Sequence, residues 1–263
     1  MADKTARKEN GLWETVKTIF WALIIAGIFR TLFFQPFWIP SGSMKDTLLI
    51  GDFLFVNKMA YGYSAVSCPF SICPISGRIL EREPERGDVV VFRHPTKDVD
   101  FIKRLIGMPG DRIQMQNGIV IINGTPVPQE PNGFFTEPKE PQGPGQQLPS
   151  CSNDPVPQGG ECRVERATET LPNGVRHDVL NITNAAYADN TPEFTVPEGQ
   201  YFFMGDNRDN SEDSRFPPQI GGLGYVPKEY LIGRADLILF SSAGKSLLYF
   251  WTWRPDRFLK SVH

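Results

Sequence analysis

The chain lacks a basic excess: its 263 residues carry 27 Lys and Arg against 30 Asp and Glu, a formal net charge of −3. With no surplus to neutralise phosphates, nucleic acid is argued against as a main partner. Histidine is also scarce. His94, His177 and His263 are the three present, and none sits in a recognisable triad motif, so a Ser-His-Asp device is poorly supported. At 40% hydrophobic and 22% charged residues, the chain is too polar to cross a membrane many times. Only four cysteines occur. They form two local pairs, Cys68 with Cys73 and Cys151 with Cys162, each in a Pro/Gly/Ser-rich loop. Their spacers do not suit a pair of zinc hooks, and two local disulfides in an oxidising compartment fit better. No cofactor is expected and no metal site.

Of long apolar runs there is one. Thr18–Phe29 (TIFWALIIAGIF) carries no charge, and apolar character resumes after Arg30 as far as Phe34. Counted from Val16 to about residue 35, with Lys17 and Arg30 snorkelling outward, it reaches the roughly 20 residues a bilayer span needs. A cleaved signal peptide wants small residues next, whereas this chain has Phe33, Phe34, Phe37 and Trp38. An interfacial helix wants a broad polar face, which is missing. An uncleaved single span is expected, with Trp21, Phe34 and Trp38 suited to the interfaces. Lys4, Arg7, Lys8 and Lys17 precede it, against Arg30 and Lys45 after it, which places the N-terminus on the cytoplasmic side. The rest of the chain would then lie outside, where disulfides persist.

The remainder is rich in turn formers, with 24 Gly and 23 Pro. Short apolar runs between them predict strands over Asp52–Asn57, Asp88–Phe92, Phe101–Ile106, Tyr201–Met204 and Leu237–Phe240. Two Asn-Gly pairs, at 117–118 and 123–124, bracket another strand. Residues 126–160 turn to Pro, Gln and Gly and read as a partly irregular surface insertion. Residues 162–180 regain strand-like alternation and suggest an outlying hairpin. The expected organisation is a tail over 1–15, a span over 16–35 and a mainly β domain over 36–125 and 195–245. A Pro/Gly-rich inserted subdomain, part β-ribbon and part loop, covers 126–194. An aromatic, then basic, tail covers 246–263. That tail reads equally well as a membrane contact or as a last packed strand.

Three segments could carry chemistry. Pro40-Ser41-Gly42-Ser43-Met44 follows the span directly, and a glycine beside a serine allows a sharp turn. Alone, this is an ordinary loop serine. Lacking a suitable histidine, a serine could be activated by a desolvated lysine, because burial disfavours the charged amine. Lys103, in Phe101-Ile102-Lys103-Arg104-Leu105-Ile106, has the apolar neighbours for that, although a strand lysine facing solvent is the commoner case. Gly205–Arg215 (GDNRDNSEDSR) is dense in Asp, Asn, Ser and Arg. It could be a calcium loop, a solvated turn, or a rigid hydrogen-bonded loop that orients a neighbour.

Taken in order, IPSGSM at 39–44, GD at 51–52, FIKRLIGMPGD at 101–111, GDNRDNSEDSR at 205–215 and IGRADLI at 232–238 closely resemble the boxes of bacterial type I signal peptidases. The resemblance implies a membrane-bound serine endopeptidase that removes signal peptides after an Ala-x-Ala-like site. In that case Ser43 is the nucleophile and Lys103 the general base. Ser211 orients the lysine, and Ser41 with the Ser43 N–H forms the oxyanion hole. Asp213 and Arg215 form a bracing ion pair that Arg104 or Asp209 joins, with Gly205 opening the same loop. The resemblance also implies an S1 pocket lined by Ile39, Met44 and Leu48, with Phe37, Ile102 and Phe101 along the rest of the substrate groove. Signal peptides of exported preproteins and the bilayer would be the partners of a monomer in the bacterial inner membrane. A self-cleaving repressor with the same Ser-Lys device would carry a DNA-binding N-terminus instead of an apolar one. An inactive tethered scaffold would have no use for Ser43, Lys103 and Ser211 together.

Overall fold

The computed structural model describes residues 11–68, 73–143, 145–244 and 249–262. The charges at Lys4, Arg7 and Lys8 and the residue His263 lie outside these. Gly11–Leu32 is one α-helix of 22 residues, about 33 Å long at 1.5 Å per residue. It begins earlier than the apolar pattern suggests, because Thr15 and Thr18 hydroxyls donate to the carbonyls four residues back and let the polar first turns stay helical. It ends at Leu32, since Phe34–Trp38 is already paired as a strand with Asp52–Asn57. None of its apolar window, Trp13–Leu32, is buried. An apolar helix exposed all round suits lipid and not water.

Beyond the helix the chain is mainly β. The large antiparallel sheet runs Phe34–Trp38, Asp52–Asn57, Leu231–Ser241, Val89–Arg93, Asp100–Gly107, Gln200–Met204, Val226–Pro227. Lys260–Ser261 adds to the far end of Leu231–Ser241. Pro36 is tolerated because its strand is an edge, where a missing N–H costs no ladder bond. In Asp52–Asn57 burial alternates with period two. Leu54 and Val56 enter the core, while Phe53 and Phe55 face an aromatic layer with Trp38, Phe34 and Phe240. Val89–Phe92 is buried on both faces, which accounts for its unbroken apolar run.

A second sheet holds Arg112–Gln116, Ile119–Ile122, Thr125–Pro126 and Phe194–Thr195. Its first hairpin turns at Asn117 and Gly118, with φ of +50° and +76°, the left-handed pair that an Asn-Gly turn supplies. The insertion is more regular than its composition suggests. Gln129–Pro138, Glu161–Thr170 and Arg176–Asn181 form a three-stranded sheet. Gln129–Pro138 escapes a periodicity reading because it is an edge strand, mostly exposed, with the pairing shifted around Asn132 and Gly133. Both expected disulfides are formed, Cys68–Cys73 and Cys151–Cys162.

The C-terminal segment packs at least in part. Arg257 is buried and forks onto Asp52 at 3.0 and 2.6 Å, and Trp253 stands edge-on to Phe240. Residues 245–248 lie outside the described residues.

Candidate active site

Ser43 sits in the turn after the first edge strand. The turn is closed by Lys45 N–H donating to Gly42 O at 3.2 Å and Leu48 N–H to Met44 O at 2.7 Å. From the opposite side Asn207 grips it twice: its N–H donates to Ser43 O and its side-chain amide to Gly42 O, each at 3.1 Å. Sequence reading marked the Asp/Asn loop but gave Asn207 no role. Its contact with the serine turn spans more than 160 residues and has no local signature.

Lys103 comes from the strand Asp100–Gly107, opposite Val90 on the neighbouring strand. The pleat sends it and Arg104 to opposite faces. Lys103 Nζ lies 2.6 Å from Ser43 Oγ, also touches Ile102 O at 3.2 Å, and stands 5.3 Å from the Phe101 ring centre. The residue is only 4% exposed. Burial lowers its pKa to about 8, against the opposing pull of Asp213, Asp206 and Glu212 and with a smaller push from Arg215. A buried amine of lowered basicity at this distance can accept a proton from a hydroxyl. His94 accepts N–H bonds from Thr96 and Lys97, and His177 pairs with Glu169, so neither serves Ser43.

Among the described residues, neither the Ser43 N–H nor the Ser41 hydroxyl has a hydrogen-bond partner within the protein. Ser43 and Ser41 both line a cleft of about 710 Å³ together with Lys103 and Ser211. Two unused donors beside a serine hydroxyl are groups from which an oxyanion hole can be built.

The loop 205–215 is a lattice of buried charge. Arg215 forks onto Asp213 at 2.9 Å through both Nε and Nη2, and Asp213 also accepts the Gly205 N–H at 3.1 Å. Burial pushes the Asp213 carboxyl up, but the Arg215 guanidinium outweighs it and the net pKa lies below the usual range. Arg104 does not join this pair. It forks onto Asp206 at 2.8 and 2.7 Å, because its face of the strand points away from Asp213. Asp209 accepts the N–H groups of Ile182 and Thr183 at 2.7 and 2.9 Å and so ties the loop to the insertion. These carboxylates are answered by Arg and backbone N–H, which removes the donor set a calcium loop would need.

Ser211 reaches the cleft, but its hydroxyl makes no hydrogen bond of good geometry, to Lys103 or otherwise. It lies close enough to Asp213 to help hold that carboxylate ionised. Gly205 leaves room for this arrangement: a Cβ there would stand 2.2 Å from Ser211 Oγ and 2.5 Å from Ser43 O.

The expected S1 residues sit deeper than the resemblance implies. Ile39, Met44 and Leu48 are 2%, 0% and 0% exposed and form core with Leu54, Val56 and Val91, with Phe37 and Ile102 packed against them. They back the serine turn instead of opening onto the cleft. Its apolar lining is Val99, Phe101, Ile102, Phe216 and Ile220, of which Val99, Phe216 and Ile220 lie outside the motifs' expected pocket.

Against known proteins, the family described as Signal peptidase, peptidase S26, matches residues 12–240. Signal peptidase I of Rickettsia akari (strain Hartford) is 41% identical over 249 residues, covering 91% of this chain and 82% of that protein. Signal peptidase I of Rickettsia prowazekii (strain Madrid E) is 38% identical over 252 residues, covering 92% and 83%. A solved signal peptidase I from Enterococcus faecalis V583 is 22% identical and covers 58% of this chain and 97% of its own, with a TM-score of 0.29.

Proposed function

Since the chain belongs to the signal peptidase family, peptidase S26, we propose that it cleaves signal peptides from exported preproteins with Ser43 as nucleophile and Lys103 as general base. The observation that carries this reading is the 2.6 Å approach of Lys103 Nζ to Ser43 Oγ in a buried corner of an open cleft. Neutral Lys103 takes the Ser43 proton as Oγ attacks the scissile carbonyl. The oxyanion is met by the Ser43 N–H and the Ser41 hydroxyl, each worth on the order of 10²–10³ in rate. Lys103 then gives the proton to the leaving amine, releasing the mature protein and leaving an acyl-enzyme. Water, deprotonated by the same lysine, frees the signal peptide and restores the serine. Ser211, with its hydroxyl unspent, turns to orient the lysine once substrate excludes water from the cleft.

An extended substrate has a place to pair. Along Asp100–Gly107, the strand Gln200–Met204 pairs with Arg104–Gly107 and stops there, so Asp100–Lys103 leaves one strand edge open beside the cleft, as β-addition needs. The apolar lining supplies shallow pockets that take alanine and exclude larger side chains. The helix Gly11–Leu32 anchors the domain in the inner membrane with the N-terminus cytoplasmic, which puts the disulfides and the cleft on the outer side. One chain holds the whole site, in keeping with a monomer.

The test is incubation of detergent-solubilised protein with a preprotein carrying an Ala-x-Ala site, with mass spectrometry of the products. Cutting after the second alanine by wild type, and none by Ser43→Ala, supports the reading. A folded wild type that does not cut, or a Ser43→Ala variant that does, overturns it.

A further inference from the structure

A second lysine stands two residues beyond Ser43 and is almost as buried as the first. Lys45 is 5% exposed. Its amine donates to both carboxylate oxygens of Glu137 at 2.6 and 2.7 Å and to Gln142 Oε1 at 3.0 Å. Gln142 closes the ring by donating its own amide to Glu137 Oε2 at 2.9 Å. Lys45 also lies 6.0 Å from the Phe135 ring centre. Glu137 and Phe135 belong to the edge strand Gln129–Pro138 of the insertion, so an element more than 90 residues away holds this side chain.

The grip lands on the nucleophile's own turn. The Lys45 stem runs under Gly42, where an added Cβ would meet Cε at 3.3 Å and Cδ at 3.4 Å. The Lys45 N–H closes the turn onto Gly42 O. The next residue is held from a second strand of the insertion, Asp46 pairing with Arg166 at 3.0 Å. Burial outweighs the Glu137 carboxylate and leaves the Lys45 pKa below the ordinary lysine value. What separates the two lysines is contact: Lys45 is held on the Glu137 carboxylate, whereas Lys103 meets the Ser43 hydroxyl.

We propose that Glu137 of the inserted subdomain is a positioning residue for cleavage, acting through Lys45 to hold the Ser41–Met44 turn in register with Lys103. The proposal rests on the Ser43–Lys103 reading above. Near-attack geometry is sensitive: a displacement of about 1 Å costs on the order of 100-fold in rate. A clamp under Gly42 therefore has leverage over turnover without touching substrate.

The test uses the full chain in detergent and compares wild type, Glu137→Gln, Lys45→Met and the double variant. kcat and KM are measured on one preprotein, and folding is checked by near-UV circular dichroism. The expected result is a fall in kcat of about tenfold or more for each single variant with KM held within about twofold. The double variant should fall no further than the singles, because one clamp is lost once. It also buries no unpaired charge, so it reports even where Glu137→Gln folds poorly. Wild-type kcat in the double variant, with only thermal stability reduced, overturns the positioning role and leaves the dyad standing. Losses that multiply in the double variant also overturn it. A wild type that cuts nothing overturns both readings together.

Discussion

A lysine works as a base near neutral pH only when its surroundings refuse the charge. Lys103 meets that condition by burial, which brings its pKa from 10.5 to about 8. The same burial makes it a stability liability, and the sign follows from linkage. Below pH 8 both folded and unfolded chains carry the charge, and the fold bears the full desolvation cost. Between about pH 8 and 10.5 the unfolded chain binds the extra proton, so this residue's contribution to stability improves as pH rises. Lys103→Met should therefore abolish cleavage while leaving the melting temperature at pH 7 equal to or above wild type, read by calorimetry. A clear drop would mean that the amine is a structural partner instead. Gly205→Ala should differ by destabilising the fold as well. Its methyl would collide with Ser211 and the Ser43 carbonyl, costing both stability and at least about tenfold in kcat, as overpacked and misplaced sites do. The meeting of Ser43 with a buried Lys103 was legible because motif chemistry and local apolar context agree. Asn207, Asp206 and the Glu137–Lys45 clamp were not, since their partners lie 90 to 170 residues away and leave no local pattern.

At the scale of elements, the strand Asp100–Gly107 and the Asp/Asn loop are joined and braced by buried ion pairs. Asp213 and Arg215 are 0% and 4% exposed, so breaking the pair strands a charge. Asp213→Asn should destabilise by about 3–5 kcal/mol, seen as a shifted denaturant midpoint with unchanged slope. A shift under about 1 kcal/mol would show the pair to be dispensable. Strands with period-two burial, such as Asp52–Asn57, and Asn-Gly hairpins were readable from sequence because local physics dictates them. The strand Gln129–Pro138 was not: Pro131, Gly133 and an exposed face erase the alternation, and only pairing with Glu161–Thr170 makes it regular. The same edge strand carries Glu137, so the least legible element supplies the clamp.

For the whole molecule, the helix and the β domain should be thermodynamically separable. The helix buries none of its apolar window and meets the domain mainly at its end, where the Lys58 amine caps Arg30 O at 3.5 Å and Tyr63 caps Leu32 O. Removing residues 1–32 should leave the melting temperature of the domain within about 5 °C and abolish flotation with liposomes carried by the helix. Unfolding of the truncated chain would contradict this separation. Activation of a serine by a desolvated lysine would show itself in the pH dependence of kcat/KM for preprotein cleavage by the wild-type chain. A single ascending limb is expected with its midpoint near pH 8, where Lys103 loses its proton. A profile that is flat from pH 6 to 10, or one that rises only near the ordinary lysine value, would contradict it.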